Sequence, residues 1–331
     1  MDDSGRALKG ERNPQSVHVT LLAGGISAER EVSLQTGAQI AAALERSGYQ
    51  VFKSDISPDD LSALDHRPCD VVFPALHGTF GEDGQLQKIL EDRGLTFVGS
   101  GSQASKLAMD KAAAKSRLLE QHIATPPWQM VYAHKFKDSW TPISGIGYPC
   151  VIKPVSEGSS VDCAICASAP AAREHLAQSL ARHGAMLVEK CIVGPELTVG
   201  VIDGQALPTL QIRPRSAFYD YQAKYVRDDT EYLFDIALPA KTLEAVRRMA
   251  LEACRAMGVR HLARVDIMVD GKTGEPFVLE VNTMPGFTTH SLVPKAAARA
   301  GIGFDELCGR LVNMAIRDHA AAERRPETPL A

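Results

Sequence analysis

What limits the possible folds of this chain most severely is a pair of alternating segments near its C-terminal end. HLARVDIMVD (261–270) and PFVLEVN (276–282) flank a Gly-containing turn and read as an antiparallel hairpin. Side chains alternate faces along a strand. Val265, Ile267 and Val269 therefore share one face, and Arg264, Asp266 and Met268 the other. In the partner strand Leu279 and Val281 are expected on one face, with Glu280 and Asn282 opposite. If both apolar faces meet a core, Arg264, Asp266, Glu280 and Asn282 converge on one surface. Two carboxylates, an amide and a guanidinium are costly there unless something balances them. Hard divalent cations prefer such oxygen ligands, and Mg²⁺ commonly takes one or two carboxylates plus substrate phosphates. A surface ion pair of Arg264 with Asp266 or Glu280 satisfies the same pattern.

The front of the chain has a different texture. VHVTLLAGG (17–25), VVFPALHG (71–78) and LTFVGS (95–100) read as short buried strands running into glycines. Between the first two lies a helical stripe of Leu34, Ala38, Ala41 and Leu44, stopped at Gly48. Strand, helix, strand at this spacing predicts a parallel α/β sheet over roughly the first 100 residues. Functional loops of such sheets lie beyond the carboxyl ends of the strands, where Gly24-Gly25, His77-Gly78 and Gly99–Ser102 fall. A single helix is expected over 101–122, broken by Thr125-Pro126-Pro127. Further strands are expected at 148–154, 161–168, 185–190, 196–202 and 206–212. A helix (170–183) precedes the third of these, and Asp203-Gly204 is a hairpin turn signal between the last two. A long polar loop covers 213–231, a length typical of binding loops. Helices follow at 243–257, 290–300 and 304–322. The domains read as a flexible tail (1–15), an N-terminal α/β unit (16–122), a central unit (123–200) and a C-terminal unit (201–331).

The chain of 331 residues carries 36 Lys+Arg against 40 Asp+Glu, a formal charge of −4. That balance leaves no electrostatic footprint for nucleic acid. No uncharged run reaches the length of a membrane span. The polar start, MDDSGRALKGERNPQ, lacks the apolar region of a secretory signal. The odd count of 7 cysteines fits reduced thiols in a cytoplasm.

Several smaller features read two ways. Thr288, Thr289, His290 and Ser291 precede a helical run and suit either a bound anion or plain N-capping. Glu157-Gly158-Ser159-Ser160, after Lys153, is a small loop able to close over phosphates, though neither a P-loop nor a dinucleotide fingerprint is present. Glu29 and Glu31 open the first helix, where carboxylates complement its dipole. His77 suits a catalytic base or a capping residue. Cys163 and Cys166, three apart in a strand, point to opposite faces and do not read as a zinc or redox site.

Taken together, the motifs LLAGGISAEREVSL (21–34), PALHGTFGEDG (74–84), GSGSQASKLAMDK (99–111), VIKPVSEGSSV (151–161), VEKCIVGPELTV (188–199), FYDYQAKY (218–225), ARVDIMV (263–269) and EVNTMPGFTTHSLVP (280–294) resemble the D-alanine–D-alanine ligases of the ATP-grasp superfamily, in the family's order. The resemblance spans about residues 17–315. It implies an N-terminal, Rossmann-like parallel-sheet domain that binds substrate, followed by a two-subdomain ATP-grasp fold. The implied activity is ATP-dependent joining of two D-alanines through an acyl phosphate, for peptidoglycan precursors. ATP is implied as co-substrate, with two Mg²⁺ ions for which Mn²⁺ substitutes, in a cytoplasmic homodimer without nucleic-acid or membrane partners. D-lactate or D-serine as second substrate, or a non-catalytic ATP-binding relative, are the alternatives.

Matched motif by motif, Lys111 and Lys153 resemble the phosphate-binding lysines, Glu189 the acceptor for the adenine amino group and Glu196 the ribose ligand. Asp266, Glu280 and Asn282 match the metal ligands. Arg264 and the backbone N–H of Gly286 match the donors to the acyl phosphate and tetrahedral oxygen. Glu29 matches the carboxylate holding the first substrate's ammonium, and His77 lies at a position contacting that substrate. Ser291 and the backbone of Leu292 match the site of the second carboxylate. Ser159 and Tyr225 match a hydrogen-bonded set tethering the mobile loop to Glu29, with Lys224 beside them on the ATP side. The chain departs from the family's EGSSVG at Asp162, where an extra carboxylate either weakens ATP affinity or points outward. It departs again at LFDIALP (233–239).

Overall fold

The computed structural model describes residues 13–158, 161–213 and 230–324. The first sheet is parallel, with β1 (His18–Ala23) between β2 (Gln50–Asp55) and β3 (Val71–Pro74). β1 and β3 are buried on both faces, as expected for parallel pairing, whereas β2 at the sheet's edge is exposed or half-buried along its length. Val19 and Leu21 of β1 join a core with Ile40 and Leu44 of α1 (Arg30–Arg46), whereas Leu22 joins a second core with Leu76, Leu86 and Leu90 on the other side. Leu86 and Leu90 belong to α2 (Gln85–Asp92). The first core also takes in Leu307, Leu311 and Val312 of the last helix, α8 (Phe304–Glu323). The two ends of the chain thus share one apolar layer.

Two antiparallel sheets make up the rest. One has the order β4-β7-β5-β6, from β4 (Trp128–Tyr132), β5 (Cys150–Pro154), β6 (Ala164–Cys166) and β7 (Ala185–Lys190). Cys150, Ile152, Met186 and Val188 pack against Leu176 and Leu180 of α5 (Ala169–His183). The intervening residues Val151, Lys153 and Glu189 face the other way, into a cavity. The larger sheet runs β11-β10-β8-β12-β13, with β9 (Gln205–Ala206) paired to β8. Its strands are β8 (Glu196–Ile202), β10 (Leu210–Arg213), β11 (Glu231–Leu233), β12 (Leu262–Val269) and β13 (Pro276–Asn282). Val199, Val265, Ile267, Val278 and Val281 pack with Val246, Ala250 and Met257 of α6 (Ala240–Met257) and Leu118 of α4 (Lys111–Glu120). The sheet's opposite face meets the same cavity as the smaller sheet.

Several expectations are corrected. The helix expected over 101–122 is two helices, α3 (Ser102–Met109) and α4. Asp110 breaks them apart because its carboxylate accepts the N–H groups of Ala112 and Ala113 and so starts a new helix. Leu34 and Ala38 are exposed; the buried residues of α1 are Ser33, Thr36, Gly37, Ile40, Ala41, Ala43 and Leu44. Ser33 is inside because its hydroxyl accepts from Gly24 N–H at 2.8 Å and donates to the Ala75 carbonyl at 2.7 Å. LTFVGS contributes one parallel bridge, Val72 to Phe97, and no strand. In β13 a register shift opposite Asp266/Ile267 separates Leu279 from Val281: Val278 and Val281 are buried, and Leu279 lines the cavity. The expected loop 213–231 begins and ends in strand, with Arg213 paired to Glu231 at 3.3 Å. Of the expected tail, residues 1–12 lie outside the described residues, and Pro14–Ser16 form a 3₁₀ turn. Strands β2, β4 and β11 are additions to the predicted set, and the strand expected over 206–212 is two, β9 and β10, with residues 207–209 between them in neither.

Candidate active site

Two cavities meet at the polar face of the β12–β13 hairpin. The smaller, about 280 Å³, lies between the carboxyl end of the parallel sheet and the large antiparallel sheet, and is lined by Glu29, His77, Arg264, Asn282, Gly286 and Ser291 among others. The larger, about 540 Å³, lies between the two antiparallel sheets, and its lining includes Lys153, Glu189, Glu196, Val151, Met268 and Leu279. Lys111, Glu157, Gly158, Asp266 and Glu280 border both. One cavity is thus rimmed by groups suited to small charged molecules, and the other combines apolar walls with three lysines, Lys111, Lys153 and Lys190.

At the junction, strand register explains the geometry. Arg264 stands opposite Asn282 and Asp266 opposite Glu280. The Arg264 guanidinium donates to both Asp266 oxygens, from Nε at 2.9 and 3.1 Å and from Nη2 at 2.7 Å, and lies 3.7 Å from Glu280. Thr198, opposite Asp266 on β8, donates to its Oδ1 at 2.7 Å. This pair is not on the surface: the side chain of Asp266 is 8% exposed and that of Arg264 16%. The donor set of two carboxylates and one amide fits a hard divalent cation that keeps room for phosphate oxygens. Asn282 Oδ1 accepts from Met284 N–H at 2.9 Å, which orients it. Among the described residues no cluster of three His, Cys, Asp or Glu is placed to hold a metal. The two-acid arrangement here is the kind completed by substrate.

The far end of the smaller cavity rests on the turns after β1 and β3. Gly78 adopts φ +68, and a Cβ there would stand 3.0 Å from Glu29 Oε2; one on Gly158 would stand 3.4 Å from the same oxygen. The Glu29 carboxylate therefore sits between the His77 turn and the loop bordering both cavities. Glu29 stands at the N-cap of α1 and makes no side-chain capping hydrogen bond there. His77 is buried, with Nδ1 3.1 Å from Glu82 and Nε2 3.4 Å from Thr36 Oγ1. Burial works against its charge, but Glu82, and Glu29 farther off, prevail and lift its pKa above the ordinary histidine value. Ser291 holds the N-cap position of α7 (Leu292–Arg299) without capping it; its hydroxyl accepts from Thr288 N–H at 3.0 Å and faces the cavity, 3.3 Å from where a Gly286 Cβ would be. Plain capping is thereby ruled out for Ser291.

On the larger cavity's floor, Lys153 Nζ is 2.6 Å from Glu189 Oε1. Burial opposes ionisation of Glu189, yet Lys115 and Lys153 together hold its carboxyl below the usual range. Lys111, the first residue of α4, donates from Nζ to the Glu157 carbonyl at 2.6 Å. Burial pulls its pKa down, against the pull of Glu280. Asp162 points away from the cavity. It sits at φ +49, where its carboxylate accepts from Arg182 at 2.9 Å twice and lies 2.6 Å from His183, both on α5. His183 first, then Arg182, holds its carboxyl below the usual range against burial. Thirteen of the site residues read from the sequence border one of the two cavities. Ser159, Lys224 and Tyr225 lie outside the described residues. Sequence reasoning missed Glu82, Thr198 and Lys115; of these only Lys115 carried a signal, one helical turn after Lys111.

Comparison with known proteins follows this geometry. Residues 118–313 match the family model described as D-ala D-ala ligase C-terminus, and residues 60–100 the one described as D-ala D-ala ligase N-terminus. The D-alanine–D-alanine ligase of Syntrophotalea carbinolica is 43% identical over 90% of this chain and 96% of its own length. That of Stutzerimonas stutzeri is 40% identical over 91% of this chain and 95% of its own. The crystal structure of D-alanine–D-alanine ligase from Bacillus anthracis complexed with ATP superposes with a TM-score of 0.80 at 31% identity, over 93% of this chain and 100% of that one. A second structure of the Bacillus anthracis enzyme gives 0.81 at 34% identity over the same shares. With two adjoining cavities, one acidic hairpin and relatives matched along nine-tenths of its length, the chain belongs to the D-alanine–D-alanine ligase family.

Proposed function

We propose that the protein joins two D-alanines to D-alanyl-D-alanine with ATP as phosphoryl donor, serving peptidoglycan precursor synthesis. The observation that carries this reading is the shared border of the two cavities. Lys111, Asp266 and Glu280 stand where a molecule in one cavity would react with a molecule in the other.

The larger cavity suits the nucleotide. Val151, Met268 and Leu279 offer apolar walls to a base, Glu196 suits the ribose hydroxyls, and Lys111 and Lys153 suit the phosphates. The smaller suits the amino acids. Glu29 faces the first ammonium, with His77 beside it, and Ser291 with the Leu292 backbone faces the second carboxylate. A carboxylate oxygen of the first D-alanine attacks the γ-phosphorus, the bond to the bridging oxygen breaks, and ADP leaves with that electron pair. The amine of the second D-alanine then attacks the acyl carbon, and the tetrahedral adduct expels phosphate. Negative charge develops first on the phosphoryl oxygens and then on the carbonyl oxygen, so positioned cations and donors lower both barriers. Arg264 and the Gly286 N–H lie where they would serve the second. Asp266, Glu280 and Asn282 would hold magnesium, which when bound neutralises phosphate charge. By family resemblance Ser159 and Tyr225 are assigned to a hydrogen-bonded set that tethers the loop 213–231 to Glu29, with Lys224 beside Tyr225 on that loop. All seven cysteines are thiols, which supports a reducing, cytoplasmic setting.

Product analysis tests the reading. With ATP, magnesium and D-alanine, the dipeptide and phosphate are expected in equal amounts. Added D-lactate or D-serine is expected to leave the dipeptide as chief product. Phosphate release indifferent to D-alanine, or a mixed product in excess, overturns it.

A further inference from the structure

Two lysines converge on one buried carboxylate. Besides Lys153, Lys115 Nζ lies 2.7 Å from Glu189 Oε2, with the Lys115 and Glu189 side chains 1% and 3% exposed. Lys153 and Glu189 line the larger cavity; Lys115 stands outside it. The Lys115 ammonium also donates to Thr125 Oγ1 at 2.6 Å, and the Thr125 hydroxyl donates to the Val278 carbonyl at 2.8 Å. Val278 is two residues before Glu280 on β13. One ammonium thus ties α4, the carboxylate on β7 and the acidic strand together.

Building on the nucleotide reading of the larger cavity, we propose that Lys115 is a positioning residue: the permanent counter-ion that keeps Glu189 ionised and in place when a nucleotide phosphate draws the Lys153 ammonium away. A buried carboxylate with a single counter-ion resists giving it up, because a charge left alone in the interior is strongly destabilising. If Lys153 were the sole partner of Glu189, a phosphate would have to compete with that carboxylate for it. With two ammonium groups on one carboxylate the cluster holds one positive charge in excess, and the arriving phosphate matches it. The ionisable groups facing Lys115 are Glu189, Lys153 and, farther off, Glu280; burial still pulls the ammonium down to about 8. Lys115 therefore keeps its charge chiefly through Glu189, as the proposed role requires.

Affinity for β,γ-imido ATP with magnesium, measured by calorimetry, tests this. Lys115→Met is expected to weaken binding at least about tenfold, because removing one partner of a buried pair is strongly destabilising, while the KM for D-alanine moves by less than about twofold. In a Glu189→Gln background no carboxylate needs compensation, so adding Lys115→Met is expected to change affinity by less than about twofold. Unchanged affinity in folded Lys115→Met, or a full loss in the Glu189→Gln background, overturns the proposal. Should Lys115→Met fail to fold, the double variant, which orphans no carboxylate, still decides against Glu189→Gln alone. Lys153→Met separates the two readings. If it leaves binding intact, the cavity is not the nucleotide's; if it weakens binding and Lys115→Met does not, the role given to Lys115 alone falls.

Discussion

Individual side chains at the hairpin are set by where their neighbours put them. Asp266 and Glu280 face one another because their strands pair in that register, and this face has Arg264 as its only basic residue among the four groups that converge there. Glu280→Gln keeps the shape and removes the charge. Turnover is expected to fall about 100-fold, the loss that follows when a few kcal/mol of transition-state charge stabilisation is removed, and more magnesium should be needed for half-maximal rate; an unchanged magnesium titration counts against Glu280 as a ligand. Asp162 gives the opposite expectation. Its partner Arg182 is 55% exposed, so their ion pair contributes under about 1 kcal/mol, and the His183 contact at 2.6 Å contributes about as much again. The left-handed backbone costs a side chain about the same. Asp162→Gly should therefore leave Tm within about 3 °C and, since the carboxylate points away from the cavity, leave the KM for ATP within about twofold. A marked gain in ATP affinity would show that the carboxylate does reach the phosphates.

At the scale of elements, the junction of β12 with the parallel sheet runs through His261. Its Nδ1 accepts the Gly99 N–H at 2.9 Å, which leaves Nε2 as the protonated nitrogen, 3.1 Å from Asp318. Burial first, then Arg260, pushes the imidazole down from 6.5 to about 4. The folded state thus holds a neutral ring where the unfolded chain takes up a proton. The stability this represents is present above pH 6.5 and lost as pH falls towards 4. At 1.36 kcal/mol per unit the loss is about 3 kcal/mol. Denaturant unfolding at pH 7, 6, 5 and 4 checks it, because His261→Gln should flatten that segment of the profile. An equal slope in the variant assigns the dependence elsewhere. The same scale shows how local chemistry overrode a periodic pattern. Asp110 split a helix the apolar spacing would have joined, and Ser33 is buried by two backbone partners that no hydropathy pattern reveals.

For the whole molecule, the parallel sheet is not self-sufficient. Leu307, Leu311 and Val312 of α8 complete the core formed by β1, β3 and α1. A fragment ending at residue 122 would expose that face to water, so it is expected to be insoluble or to show no cooperative unfolding by calorimetry. Adding a separate peptide of residues 290–324 should partly restore it, and a fragment that unfolds cooperatively alone would refute this shared core. Much of the architecture was legible without coordinates. Alternation in β12 told its faces apart because strand geometry has a period of two, and the Asp203-Gly204 turn was readable because both residues adopt positive φ, at 49° and 72°. The hairpin's acids and arginine, the lysines and the glycine-ended strands were likewise written in the order of residues. What the order of residues left open was every distance between segments far apart in it. Leu279 turned from the core because a register shift in pairing reset its face, and Lys115 met Glu189 because a helix and a strand 74 residues apart pack together. Periodicity is a local property of the backbone, so a sequence carries it; the balance of buried charges depends on which chains of contacts close in space, and folding alone settles that.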